Sequence, residues 1–368
     1  MVNVQQAHVI AAEGYRQPYV RTGYETIIPQ RLRNSFAYAA DDDGVVESIT
    51  SRGIIVKYSS GEKVGVNLGR VFGRSEGSYY PQDVITILKE NDSFKKGDLL
   101  AYNNGFFEED ILAPGRIILR NSMNVRTALY ESSQTWEDSS AISKELSGKL
   151  STKVTKVRSV VVDFTQDLRK PIKIGSKVSP LDTLVIIEDA ITAKAQLFSD
   201  DSISTLKDIN STSPKAKVEG ILDKIEVYYN GDKEDMSDGL RYLADLSDRL
   251  LALQYKDTNR KIVTGKVTTE YRVEGVPLTL DRAEIKFYIT FDNSAGVGDK
   301  GVFANQLKSV FGEVMDYDMT TESGEKVDAV FGQKSIDARI VLSPEILGTT
   351  TTLLRVVAKR AVQLYNGD

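Results

Sequence analysis

Val297-Gly298-Asp299-Lys300-Gly301-Val302-Phe303-Ala304-Asn305-Gln306-Leu307-Lys308 follows an alternating apolar run, Ile285-Lys286-Phe287-Tyr288-Ile289, that reads as a buried strand. Two lysines leave the end of one strand. Gly296, Gly298 and Gly301 permit the turn that would hold both ammonium groups beside one cavity. Lysine is a compact point charge, so a pair eight positions apart suits neighbouring phosphates on which charge builds during a reaction. Spacing alone does not separate that use from two solvated surface lysines, the commoner fate of such residues.

Working outward, the whole chain bounds the chemistry. Its 368 residues, 41% hydrophobic and 27% charged, suffice for two or three domains with a sizeable core. Cysteine is absent, which removes disulfides and cysteine-based zinc sites, and the single histidine, His8, leaves no histidine metal cluster and no Ser-His-Asp triad. No apolar run approaches the roughly 20 residues that span a bilayer, and the N-terminus lacks a basic-then-apolar leader, so the expectation is an intracellular protein with no membrane partner. The net charge of −5 taken as an average would argue against nucleic acid, but its local distribution leaves the charge argument neutral. Against that average, Lys144, Lys149, Lys153, Lys156 and Arg158 make one basic strip, while acids gather at Asp41-Asp42-Asp43 and between Asp232 and Asp238.

Residues 1–40 lack a period and predict an extended or irregular lead-in. From Gly44 the pattern turns strand-like: Val45 to Ile49, Ile54 to Tyr58, a Ser59-Ser60-Gly61-Glu62 turn, and a return over Lys63 to Leu68. Glycine turns leading into short strands recur at Lys96-Gly97-Asp98 and Ile174-Gly175-Ser176; they resemble turns of lipoyl carrier domains, but no modifiable lysine sits at a tight hairpin tip. Residues 190–216, rich in Ser, Asp and Thr, read as a linker or exposed loop. A strand is expected at Ile221 to Tyr229 and then a helix near 237–255, with Ser237 as its cap and Leu240, Leu243, Leu246, Leu250 and Leu253 as one apolar stripe. After Thr258 the chain reads as strand through Val276, then again over Ala283 to Thr290, and it ends on an apolar and basic helix.

With these residues in view, the lysine stretch resembles the Gly-Asp-Lys-x7-Lys segment of the β subunit, the second-largest subunit of multisubunit DNA-dependent RNA polymerases. The likeness continues in the family's order. Pro18-Tyr19-Val20-Arg21-Thr22-Gly23-Tyr24-Glu25 resembles Pro-Leu-Val-Gly-Thr-Gly-Met-Glu, Gly44-Val45-Val46 a Gly-Val-Val strand, Arg74-Ser75 an Arg-Ser step, and Lys96-Gly97-Asp98-Leu99-Leu100-Ala101 a Lys-Gly-Asp-Val-Leu-Ala turn. Trp136-Glu137-Asp138-Ser139 looks like Phe-Glu-Asp-Ser, and Val327-Asp328-Ala329-Val330 like Val-Asp-Ile-Val. The segment between the lysines departs from the family: Phe303, Asn305 and Gln306 replace its Arg-His-Gly, and Gly332-Gln333-Lys334 and Asp337-Ala338 replace residues before its arginine, which family spacing places at Arg339.

The resemblance implies an α+β, mainly β fold: a double-psi β-barrel built from two separated segments with an inserted flap or wall module. The expected layout is a lead-in at 1–40 near the RNA-DNA hybrid, a first barrel part at 41–160, a flap or wall insertion at 161–282, a second barrel part with the lysine loop at 283–345, and a C-terminal helix at 346–368. It also implies the C-terminal half of a split β subunit, as in giant tailed bacteriophages, hence host cytoplasm or a virion as location. Partners would be the N-terminal half of β, β′-like chains, template DNA, nascent RNA, NTPs and a promoter-specificity factor. In the implied reaction an RNA 3′-hydroxyl attacks the α-phosphate of an NTP, aided by two Mg²⁺ ions held mainly by the β′-like partner. Lys300 and Lys308 would bind the RNA end and substrate phosphates, Arg339 the triphosphate, and Glu137 with Asp138 would lie near the second metal; Asn3, Gln5 and Gln6 would touch RNA. The lysines and the acids are then expected to face one another across a shared pocket. With no Asp-x-Asp-Gly-Asp cluster in the chain, activity is not expected from it alone. The competing class is a non-catalytic β-rich structural or assembly protein.

Overall fold

In the computed structural model, residues 2–5, 15–16, 21, 23–31, 37–75, 78–120, 122–189, 214–258, 264–304, 307–339 and 342–367 are described. Their architecture is mainly β, with several sheets, mostly antiparallel, none of which closes. Alternation at 44–68 becomes a three-strand meander, Gly44–Ile49, Gly53–Tyr58 and Lys63–Asn67, with Ser93–Phe94 on its far edge. Val46, Ile54, Val56 and Val66 supply its buried face with Phe94 and Leu100.

The largest sheet has eight strands and is built around Arg282–Ser294. That strand runs antiparallel to Ser151–Asp163 from Ser151↔Ser294 to Asp163↔Arg282, and on its other side to Gly220–Asn230. Side chains alternate across a strand. Ile285, Phe287 and Ile289 therefore enter one core with Leu222, Ile225 and Val227. On the opposite face Glu226 and Glu284 are buried, which is tolerable because Tyr288 donates to Glu226 at 2.6 Å and Tyr271 to Glu284 at 2.7 Å.

The expected helix runs over Asp238–Thr258, and the Ser237 hydroxyl accepts from the Leu240 amide at 3.4 Å. Leu240 and Leu243 are buried against the large sheet, whereas Leu250 is exposed, so the leucine stripe is core in its first half only. The far end of the helix instead meets the meander. A Cβ at Gly65 would lie 2.0 Å from the Thr258 carbonyl oxygen, and Arg52 pairs with Asp257 at 2.6 Å.

Three expectations change. Between 264 and 281 the strand pairing among the described residues is a single bridge of Lys266 to Tyr229 and the short ladder of Arg272–Val273 with Val276–Pro277; charge and the Gly275 turn break the alternation a longer strand requires. The lead-in, expected as extended or irregular, has extended segments at Val2–Gln5 and Ala37–Ala39 that pair into sheets, and it adds a helical turn at Ile28–Arg31. The final helix begins earlier than expected and covers Ser343–Asn366, opened by Pro344 and closed by Gly367 at φ 80°. Gln6 and most of the 190–216 linker lie outside the described residues. No described helix is long and apolar enough to cross a membrane.

Candidate functional site

The lysine stretch folds as a hairpin. Lys300–Phe303 pairs antiparallel with Leu307–Met315, with Lys300 opposite Val310 and Val302 opposite Lys308. Residues opposed in an antiparallel pair project to the same face, so both lysines share a face as diagonal neighbours roughly 7–8 Å apart. Both are exposed. The other face carries Phe303 and Leu307 into a core with Phe311, Ile142 and Phe331, which anchors the strands beneath the charges. The turn before Lys300 is fixed by Gly298 at φ 93° and by the Asp299 carboxylate, which accepts from the Gly296 amide at 2.8 Å.

The hairpin belongs to a six-stranded sheet that interleaves distant segments, in the order Val2–Gln5, Lys300–Phe303, Leu307–Met315, Ser139–Ser143, Ala329–Phe331, Thr127–Leu129. Two pairings are parallel, Ser139–Ser143 with Leu307–Met315 and Thr127–Leu129 with Ala329–Phe331. This register sets Ser139 beside Val310, and the Val310 amide donates to the Asp138 carbonyl at 2.9 Å. Asp138 is thereby set next to the inner strand pair that carries Lys300 and Lys308.

Arg339 completes the group. Its Nη2 pairs with the Asp138 carboxylate and lies 3.4 Å from the main-chain oxygen of Lys308. Its Nη1 is buried with no hydrogen-bond partner among the described residues. A buried donor left unpaired costs about 1–3 kcal/mol, so an acceptor brought there would be stabilising. Neither lysine ammonium has an ion-pair partner among the described residues.

Glu137 sits at φ 54°, an uncommon conformation for a residue with a side chain. Its carbonyl accepts from the buried Ser335 hydroxyl, which ties the 130–138 loop to the short helix Gln333–Asp337. Glu137 and Asp138 are both exposed, and neither is in contact with a lysine ammonium. Asn3 and Gln5 fall on the edge strand, opposite Val302 and Lys300 respectively.

The expected shared pocket takes the form of an exposed patch. Two cavities, of about 240 Å³ and about 1140 Å³, are lined by other residues; the larger lies between Phe303, Leu307 and Phe331 and the start of the final helix at Leu347 and Leu353. As a magnesium site the patch is incomplete. No three acidic or histidine side chains converge among the described residues, and the Asp138 carboxylate is taken up by Arg339. The described residues of this chain therefore do not by themselves make a complete magnesium ligand set.

Sequence reasoning did not foresee the Asp138–Arg339 pair or the part played by Lys334, whose ammonium lies 5.6 Å from the centre of the Trp136 ring. The signal for Lys334 was its place in Gly332-Gln333-Lys334, where the chain departs from the family pattern. No protein-family model matches this chain, and no curated protein matches it.

Proposed function

We propose that this chain is the C-terminal half of a split β subunit of a multisubunit DNA-dependent RNA polymerase and forms one wall of its nucleotidyl-transfer site. The observation that carries the reading is that Lys300 and Lys308 share one face of a hairpin to which Asp138 and Arg339 are joined from two other stretches of sequence. Cations preorganised on a rigid strand pair absorb charge developing on phosphoryl oxygens without reorganising. In this reading Lys300 and Lys308 hold the RNA 3′ end and the substrate phosphates. Arg339, fixed through Nη2, offers its remaining donor to the triphosphate.

Double-psi connectivity is part of the proposal. Support comes from a sheet that draws on both ends of the chain and contains two parallel pairings within a mostly antiparallel molecule. Glu137 and Asp138 supply carboxylates at the rim of a centre whose two magnesium ions are held by a β′-like chain. Support for a partner comes from the final helix. Leu353, Leu354, Val357, Val362 and Leu364 are all exposed on it, and apolar residues left uncovered along a helix mark an interaction surface.

The test is a tagged copy of this chain, expressed in its native context and purified with whatever it binds. The eluate should contain β- and β′-like chains and extend an RNA primer on a DNA template. A self-assembled product with no such companions and no NTP incorporation would assign the chain to the structural class instead.

A further inference from the structure

Trp136 is the only tryptophan in the chain and is 65% exposed, two residues from Asp138 in the candidate site. Its backbone is nonetheless tightly held. The neighbouring Thr135 is completely buried, its hydroxyl donating to the Tyr130 carbonyl at 2.9 Å and accepting from the Ser132 amide at 2.8 Å. Ser139 donates to the Gln134 carbonyl at 2.6 Å, and Ser335 holds the Glu137 carbonyl. A Cβ at Gly332 would come within 2.6 Å of the Thr135 oxygen, so the loop rests directly on the chain behind it. The result is a large aromatic ring presented to solvent from a fixed shelf.

The surroundings select the ligand. Lys334 lies over the indole, Tyr130 is exposed at the start of the same loop, Arg339 pairs with Asp138 two residues on, and Lys300 and Lys308 lie on the hairpin that Asp138 adjoins. These four cations stand beside three carboxylates: Glu131, which accepts from the Lys334 amide, Glu137, and Asp138, already paired with Arg339. A flat π surface next to cations fits a ligand that is planar and apolar at one end and polyanionic at the other.

We propose that Trp136 is a stacking platform for a nucleobase whose phosphates are held by Lys300, Lys308 and Lys334. The choice of a nucleotide as ligand rests on the polymerase reading; the exposed indole on its held backbone does not. Stacking on an aromatic side chain tolerates every base, because each has a π face, and the preorganised loop reduces the ordering cost of binding. Trp136 is thus a binding residue for substrate or RNA and takes no part in bond making.

Because the chain holds one tryptophan, its emission reports this ring alone. The full chain is titrated with ATP, with single-stranded decauridylate and with inorganic tripolyphosphate. Saturable quenching by ATP assigns the platform to the substrate base, and quenching by decauridylate assigns it to the RNA strand; tripolyphosphate should leave emission nearly unchanged. No quenching by either nucleotide, or equal quenching by tripolyphosphate, would overturn the proposal. In the second arm, Trp136→Ala should weaken binding of labelled decauridylate or ATP on the order of tenfold, while Trp136→Phe keeps most of the affinity. An unchanged affinity in Trp136→Ala, with an unchanged thermal melt, would also overturn it. Nucleotide quenching without RNA extension by the purified assembly would remove the polymerase reading and leave this site standing, and extension without quenching would do the reverse.

Discussion

Lys308 carries the sharpest single-residue consequence. In the assembled enzyme Lys308→Ala should slow nucleotide addition on the order of 10²-fold, the scale of losing one preorganised charge contact, with assembly intact because the side chain is exposed and its strand is anchored from the other face. Single-nucleotide incorporation kinetics check this, and wild-type speed would return the lysine to the solvated surface. A second residue ties structure to pH. Asp110 accepts from the Leu112 amide at 3.0 Å and from Arg116 and Arg21 at 2.5 and 3.0 Å, contacts that hold its carboxyl at about 2. An ordinary aspartate titrates at about 3.9, so the folded pKa is the depressed one; its stabilising contribution is complete above about pH 4 and is lost as pH falls toward about 2. Thermal melts across that window should show a steeper acid decline in the wild type than in Asp110→Asn, and parallel declines would contradict the assignment. At this scale the sequence was readable where a motif has fixed spacing, as for Lys300 and Lys308. It was unreadable where two distant residues choose each other: nothing near Asp138 announces that its partner is Arg339, 201 positions away.

Elements follow the same division. Strands with clean alternation, at 44–68 and 283–290, were legible because period two and a buried face leave one register. The lysine hairpin was legible as strand and turn, but its parallel neighbour Ser139–Ser143 was not, since pairing partners across more than 160 positions are set by the packing of the whole sheet. The junction of the long helix with the meander was equally hidden, because a glycine needed for close approach looks in sequence like one needed for a turn. It makes a direct prediction: Gly65→Ala places a methyl 2.0 Å from a backbone oxygen and should destabilise the protein by about 1–3 kcal/mol, read from urea unfolding, whereas Gly61→Ala, with open space around it, should owe its smaller cost to its positive φ alone. For the final helix, Val357→Asp should leave the isolated chain's melt unchanged, the side chain being 62% exposed, yet abolish recovery of companion chains in the pull-down. Retention of those companions would place the interface elsewhere.

At the scale of the molecule, the large sheet, the meander and the six-stranded sheet bring distant segments together, and the two lysines share one face of the last of these, on inner strands. Composition had already excluded thiol chemistry, cysteine-based zinc sites and histidine metal clusters, and the ordered series of short likenesses suggested the polymerase reading. The resemblance implied a barrel, whereas none of the described sheets closes; closure depends on strand tilt and register rather than on residue type. The polymerase reading and the uncovered apolar helix together predict that the chain works within an assembly, and that the assembly binds RNA-DNA hybrid with a steep decline in affinity as salt rises. The most direct test of the central claim compares RNA primer extension by the native assembly carrying wild-type chain with that carrying Lys300→Ala and Lys308→Ala together. The account predicts template-directed extension by the first and a loss of on the order of 10² or more in the second at equal subunit content; extension at the same rate by both, or by neither, would contradict it.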